Sequence, residues 1–305
     1  MALYRRVALI GLGLIAGSMG LAIRRAGLAD EVVGTARTAE SRATALQRGL
    51  CDRVEDTAAA SVAGADLVVL ATPVGAMGAL AAEIAPNLAP GAVVTDVGSV
   101  KQAVIDAVAP HLPPGVVLLP GHPIAGTERS GPEAGFATLF EGRWCILTPL
   151  PDTPAAEVTR LSALWEGMGA RIDLMDPEHH DTVLAVTSHV PHLIAYTIVG
   201  VADDLRRVTD SEVVKYSAAG FRDFTRIAAS DPTMWRDVFL TNREATLHIL
   251  GRFTEELFAL QRAIRTGDGA LLHDYFTRTR AIRRNILEAG QDVDAPDFGR
   301  VKPDP

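Results

Sequence analysis

The sequence predicts an α/β fold, a doubly wound parallel sheet followed by an all-helical C-terminal domain. Three observations carry this: a glycine-rich turn between a strand and a helix near the N-terminus, strand–helix alternation onward to Asp176, and loss of strand signal from Glu178. The chain has 305 residues, enough for two domains with separate cores. Apolar residues at 48% and charged residues at 22% mark a globular rather than a disordered chain. A formal net charge of -8 favours neither nucleic acid nor an anionic membrane, so an anionic ligand requires a local basic pocket. Cys51 and Cys145 sit in unrelated contexts and form no disulfide or metal pattern. A cytoplasmic location with no bound metal is therefore expected.

The first element needs the most care. Between Tyr4 and Gly27 an uncharged, mostly apolar run is flanked by arginine pairs, in the manner of an export signal. The run is shorter than the roughly 20 residues of a membrane helix. It also carries Gly11, Gly13, Gly17 and Gly20, each of which weakens a helix interior by roughly 1 kcal/mol relative to alanine. Divided differently, "RVALI" is a strand, "GLGLIAG" a turn and "SMGLAIRRAG" a helix ending at Gly27. The spacing Gly11-x-Gly13-x-x-Ala16 fits the dinucleotide fingerprint of a Rossmann-type fold. One glycine makes the tight turn, the second admits a pyrophosphate, and the third small residue lets helix pack on strand. The N–H groups around Leu14, Ile15 and Ala16 then open toward the anion.

Strands and helices alternate from there. "EVVGTA" (31–36) is a strand followed by a helix through Gln47. "ADLVVLATP" (65–73) is a buried strand that delivers Thr72 and Pro73 to the cofactor side, and "AMGALAAEIAPNL" is a helix. "GAVVTDVGS" (91–99) and "VKQAVIDAVAPHL" repeat the pair. "GVVLLPGHP" and "RWCILTP" are further strands, "PAAEVTRLSALWEGMG" a helix and "ARIDLMD" the last strand. Such alternation implies a parallel sheet. The expected domains are 1–176 for dinucleotide binding, 177–290 for an all-helical substrate and dimerisation domain, and 291–305 for a flexible tail. In the second domain Ala245, Ile249, Phe253, Leu257, Leu260 and Ile264 recur at helical spacing until Gly267 and Gly269 stop the helix. These apolar faces serve either an intrachain core or a homodimer interface.

Cofactor choice turns on the end of the second strand, where an acid commonly bonds the ribose 2′-hydroxyl. Here "VVGTART" offers no acid at Thr35 or Ala36, and Arg37 and Thr38 follow. An arginine without a carboxylate suits a 2′-phosphate, which favours NADP over NAD. The bland alternative is that Arg37 is a solvated side chain with Asp30 or Glu31 nearby.

Several segments exceed what folding needs: "DVGSVK" (96–101), "PGHPIAGTERSG" (120–131), "SHVPH" (188–192) and "GFRDFTRIAASDPTMWRD" (220–237). Together they resemble the prephenate/arogenate (cyclohexadienyl) dehydrogenase family, over nearly the whole chain. The resemblance implies NAD(P)-dependent oxidative decarboxylation of prephenate to 4-hydroxyphenylpyruvate in tyrosine biosynthesis. Hydride leaves the hydroxyl-bearing ring carbon, carbon dioxide leaves the opposite carbon, and the ring becomes aromatic. His122 matches the family's catalytic histidine, a residue type that accepts a proton near neutrality. Ser99 matches the serine that positions it near the nicotinamide. Arg226 matches the arginine gripping the ring carboxylate, which suits a guanidinium fork, and Arg222 adds positive field. His192 matches the histidine contacting the pyruvyl side chain. His189, Thr127, Glu128 and Trp235 are placed along the substrate site, where Glu128 needs a cation or an amino group for company. His179, His180, His189 and His192 lack the pattern of a metal site.

Keeping the second histidine of "SHVPH" favours prephenate, with arogenate or dual use as the alternative. No mutase-like domain is expected before the first strand, and the tail is too short for a regulatory domain. Two rivals compete with this reading. A 3-hydroxyacid-type dehydrogenase would need a catalytic lysine in the helical domain, where Lys215 is poorly placed. A non-enzymatic NADP-sensing module would have no need for His122, Ser99, His192 and Arg226 together.

Overall fold

The computed structural model describes residues 2–127, 129–209 and 219–288, without the side chains of 205–209, 219 and 286–288. Glu128, Lys215 and the expected tail 291–305 lie outside the described residues. By internal contacts the chain divides into two compact units, Met1–Leu247 and His248–Pro305.

Six strands of the first unit form a parallel sheet: β1 (Tyr4–Ile10), β2 (Ala29–Thr35), β3 (Arg53–Val54), β4 (Leu67–Leu70), β5 (Val93–Asp96) and β6 (Val117–Leu118). Their order is β3-β2-β1-β4-β5-β6. Strand order reverses between β1 and β4, which opens a crevice at the carboxyl ends of those strands. The helices are α1 (Leu14–Ala26), α2 (Ala39–Gln47), α3 (Ala58–Val62), α4 (Met77–Ile84) and α5 (Gln102–Val108). β4 reads Leu-Val-Val-Leu and is buried throughout, as a strand covered on both faces requires. Two apolar clusters result. One gathers Val7, Leu9, Met19 and Trp165; the other gathers Ala8, Ile10, Met77 and Ile84. Side chains of this size each contribute about 1.5–3 kcal/mol when fully buried.

α1 lies so close to the segment after α2 that a Cβ on Gly20 would collide with the Leu50 carbonyl oxygen. The glycines that argued against a continuous apolar helix thus divide their work. Gly11 and Gly13 form the turn, whereas Gly17 and Gly20 belong to the helix.

The sheet ends earlier than the strand–helix alternation implies. "GVVLLPGHP" splits at Pro120, which has no N–H for a ladder. β6 stays in the parallel sheet, while β7 (Gly121–Pro123) pairs antiparallel with β8 (Trp144–Leu147). β9 (Arg171–Leu174) runs parallel to β8, completing a separate three-stranded sheet. α6 (Ala155–Gly167) connects β8 to β9 and packs Trp165 edge-on against Phe140 at 5.2 Å. The chain therefore has a mixed second sheet where a single parallel one was expected.

Helices follow, as the 3.6-residue pattern requires. α7 (Pro177–Leu184) starts with Asp176 capping the Glu178 and His179 N–H groups at 2.9 and 3.2 Å. It passes through one π turn (Ala185–His189) into α8 (Val190–Thr209). Pro177–Asp204 is long and apolar enough to cross a membrane, yet it carries His180, Asp181 and His189 as buried polar groups. α9 (Ala219–Thr225) and α10 (Pro232–Thr241) come next. α11 (Arg243–Thr266) runs into the second unit and ends at Gly267, and Asp268 caps α12 (Gly269–Glu288) through the Leu271 N–H at 3.0 Å. Phe258, Ile264, Phe276 and Ile282 of that unit are each more than half exposed.

Candidate active site

The fingerprint turn occupies the crevice at the strand reversal. Gly11 adopts φ +95° and donates its N–H to Thr35 O at 3.0 Å, tying the turn to the end of β2. A Cβ on Gly11 would stand 2.7 Å from Ala71 O, so only glycine fits. Gly13 is the N-cap of α1, and Gly17 N–H makes the first bond back to Gly13 O at 2.9 Å. The N–H groups of Leu14, Ile15 and Ala16 precede that bond and lack helical acceptors. No acid sits in the first turn of α1 to neutralise them. Thr72 stands beside Gly11, and its buried hydroxyl has no hydrogen-bond partner. Pro73 follows it, exposed. Free N–H groups, open space beside Gly13 and an orphaned hydroxyl fit the phosphates of a dinucleotide. Arg37 and Thr38 are exposed just past β2, and Thr38 caps α2 through the Ser41 N–H at 3.1 Å. Glu31 is occupied by Arg6 and Arg53, so it does not hold Arg37.

His122 lies on β7 with 7% of its surface exposed. Its strand is clamped to the carboxyl end of β5 by Asp96. One Asp96 oxygen accepts the Gly121 N–H at 3.2 Å; the other accepts the Gly98 N–H at 2.7 Å and pairs with Lys101 Nζ. Lys101 Nζ also donates to Gly121 O at 2.6 Å, and both charged side chains are fully buried. Burial works against both charges, raising the Asp96 pKa and lowering that of Lys101, while their mutual attraction opposes this.

His122 Nδ1 meets His180 Nε2 at 2.9 Å, and His180 Nδ1 meets Asp181 Oδ1 at 2.8 Å. Asp181 also accepts the Lys101 and Gln102 N–H groups at 2.8 and 3.0 Å, at the start of α5. Burial pushes His122 well below the usual histidine range, helped by His180, Lys101 and His189. Its imidazole is therefore neutral at physiological pH. His180 thus engages His122 Nδ1, while the Ser99 backbone interacts with His189.

His189 and His192 flank Trp235. His192 stacks on the indole at 3.7 Å between centroids, and His189 lies edge-on at 6.1 Å. Asn242 Nδ2 donates to Asp181 O at 2.8 Å and to His189 Nδ1 at 3.0 Å. Burial holds the His189 pKa down to about 4. His192 donates from Nδ1 to Ser188 O at 2.8 Å. Its pKa is lowered by burial and by the Arg226 cation, which brings Arg226 into the same neighbourhood. Trp235 Nε1 is buried without a partner. Arg222 is exposed on α9, and Thr127 is exposed and accepts the Arg129 N–H at 3.2 Å. Glu128 lies outside the described residues. His179 is exposed while its neighbour His180 is buried, so the two do not converge. Among the described residues no group of three His, Cys, Asp or Glu side chains is placed to hold a metal.

Sequence reasoning missed Asp96, Lys101, His180, Asp181 and Asn242. The signal for the first two was present in "DVGSVK", an acid and a base five residues apart at the carboxyl end of a buried strand.

A nucleotide turn at the strand reversal and a neutral buried histidine tied to the same sheet edge fit an oxidoreductase of the nucleotide-binding class. Sequence profiles of the prephenate dehydrogenase nucleotide-binding and dimerization domains match residues 19–174 and 176–278. The chain is 42% identical to a cyclohexadienyl dehydrogenase of Zymomonas mobilis, over 96% of this chain and 99% of that protein. The structure of prephenate dehydrogenase from Aquifex aeolicus with hydroxyphenyl propionate and NAD+ is 34% identical with a TM-score of 0.84, covering 92% of this chain and 98% of that one. Synechocystis arogenate dehydrogenase is 26% identical with a TM-score of 0.77, covering 92% and 99%. The chain belongs to the prephenate dehydrogenase family.

Proposed function

We propose that this protein is a prephenate dehydrogenase, oxidising and decarboxylating prephenate to 4-hydroxyphenylpyruvate in tyrosine biosynthesis. The observation that carries the reading is His122, a buried neutral imidazole whose Nδ1 is already engaged, leaving Nε2 for a substrate hydroxyl. The turn Gly11–Ala16 and Thr72 would hold the dinucleotide, with Pro73 beside them and Arg37 and Thr38 toward the adenosine ribose. When bound, a nicotinamide supplies the hydride acceptor. As hydride leaves the hydroxyl-bearing carbon, His122 Nε2 takes the hydroxyl proton. Loss of carbon dioxide from the opposite ring carbon sends electrons to that oxygen, which recovers a proton from the imidazolium as the ring becomes aromatic. Arg226 binds the ring carboxylate, and Trp235 and His192 line the side-chain end. Arg222 adds positive field.

For the cofactor, NADP is the favoured partner, with NAD as the other. Arg37 is exposed at the end of β2 and no carboxylate stands at Thr35 or Ala36. The Aquifex aeolicus relative was solved with NAD+.

A second reading, arogenate or dual use, is favoured by the state of His192. Its Nδ1 donates to Ser188 O, so the neutral ring offers an acceptor at Nε2. An acceptor suits the ammonium of arogenate; a keto oxygen needs the protonated ring. A two-by-two rate matrix, prephenate and arogenate against NADP and NAD, tests these readings. Prephenate with NADP is expected to give the highest kcat/KM. No turnover in any of the four cells overturns the activity.

The match to a dimerization-domain profile and the exposed Phe258, Ile264, Phe276 and Ile282 support a homodimer through the helical region. A cytoplasmic location accords with the free, buried thiols of Cys51 and Cys145.

A further inference from the structure

We propose that Asp181 and His180 are positioning residues that set the tautomer of the base: Asp181 holds the His180 proton on Nδ1, so His180 Nε2 accepts from His122 Nδ1, and His122 faces its substrate with an unprotonated Nε2. This rests on the reading of His122 as the base.

The hydrogen-bond directions are forced from the far end of the chain. Asp181 is a carboxylate whose oxygens already accept the backbone N–H groups of Lys101 and Gln102, so its orientation is fixed by the start of α5. His180 Nδ1 stands 2.8 Å from Asp181 Oδ1 and must donate; the other tautomer would set two lone pairs against each other. His180 Nε2 is then an acceptor, and His122 Nδ1, at 2.9 Å, must supply the proton. Asp181, His180 and His122 are all less than 9% exposed, so water does not compete for these bonds. The aromatic rings meet edge-on, 66° apart, as a directed N–H to lone-pair contact requires. A second arm braces the anchor, since the Asp181 carbonyl accepts from Asn242. During turnover the same chain stabilises the imidazolium at His122, because its Nδ1–H already points toward the Asp181 negative charge through His180.

The groups facing His122 are His180, Lys101 and His189, with Asp96 behind Gly121 and Cys145 on the paired strand. Among them only His180 contacts the ring through a hydrogen bond, which makes it the residue to change.

Two measurements on the full chain test this. The first reads 15N shifts of the histidine rings in the wild-type enzyme, with His122→Asn and His180→Phe spectra assigning the signals. His122 is expected as the Nδ1–H tautomer; finding it protonated on Nε2 overturns the proposal without reference to turnover. The second compares kcat and KM. His180→Phe keeps the bulk of the ring and removes its nitrogens, and is expected to lower kcat by about 100-fold or more with KM within about twofold. His180→Gln, which can accept from His122 Nδ1, is expected to recover at least about tenfold of that loss. A His180→Phe enzyme with wild-type kcat, or a Gln variant no better than Phe, overturns the positioning role. A wild type inactive on both prephenate and arogenate overturns the proposed activity instead, and the ring shifts still decide the tautomer.

Discussion

Replacing Lys101 by methionine keeps the aliphatic stem and removes the charge from a site where neither partner is exposed. Asp96 is then left with only the Gly98 and Gly121 N–H groups at 2.7 and 3.2 Å, and Gly121 O loses its donor at 2.6 Å. An uncompensated buried charge costs about 3–5 kcal/mol, against a typical domain stability of about 5–15 kcal/mol. Asp96 can escape part of this by taking up a proton. Its folded pKa is already raised by burial, and loss of the lysine raises it further. A carboxyl with a raised folded pKa is destabilised as pH climbs through that value, so Lys101→Met should lose most at neutral and alkaline pH and recover on acidification. Urea unfolding followed by circular dichroism measures the loss, and the double variant Asp96→Asn/Lys101→Met supplies the control. An asparagine needs no counter-charge, so the double variant should regain at least half of the single variant's loss. A Lys101→Met protein within about 1 kcal/mol of the wild type at neutral pH, or a double variant no more stable than the sum of the singles, refutes the buried ion pair as the clamp beneath His122.

Other consequences are open to equally direct tests. Gly11→Ala combines φ +95° with a Cβ 2.7 Å from Ala71 O, so NADP and NAD affinity by fluorescence titration should fall about tenfold or more; unchanged affinity would remove the turn from the cofactor site. His189, with a pKa of about 4 when folded and about 6.5 when unfolded, takes up its proton preferentially in the unfolded chain between those values. Unfolding free energy should therefore drop by about 1.4 kcal/mol per pH unit through that window, roughly 3 kcal/mol in all from this residue, with His122, His180 and His192 acting in the same direction. Stability that stays level from pH 6.5 down to about 5 would contradict the burial of these rings as neutral groups.

Much of the fold was legible because its signals are local. The strand–turn–helix around Gly11 and Gly13, the buried run at Leu67–Leu70 and the 3.6-residue spacing of the second half all sit within short windows. The second sheet was not, because β7, β8 and β9 are joined by pairings across long stretches of chain and only Pro120 marks the break. β3 and α3 escaped because they hold two and five residues, too few for a period. In the site, His122 and His192 stood inside dense motifs. Their supports did not: Lys101 reaches Asp181 across 80 positions, His180 reaches His122 across 58, and Asn242 reaches His189 across 53. A lone Lys101 or Asp181 in a sequence reads as a solvated charge. Only the folded chain shows that both are buried beside His122 and His180.

On the proposed reading His122 accepts the substrate proton during hydride transfer. Its most direct test is the initial rate of reduced-cofactor formation from prephenate by the wild type and by His122→Asn, with product-analogue binding measured on both. Wild-type turnover, a loss of about 100-fold or more in the variant and unchanged binding are expected. Equal rates for the two proteins would contradict it.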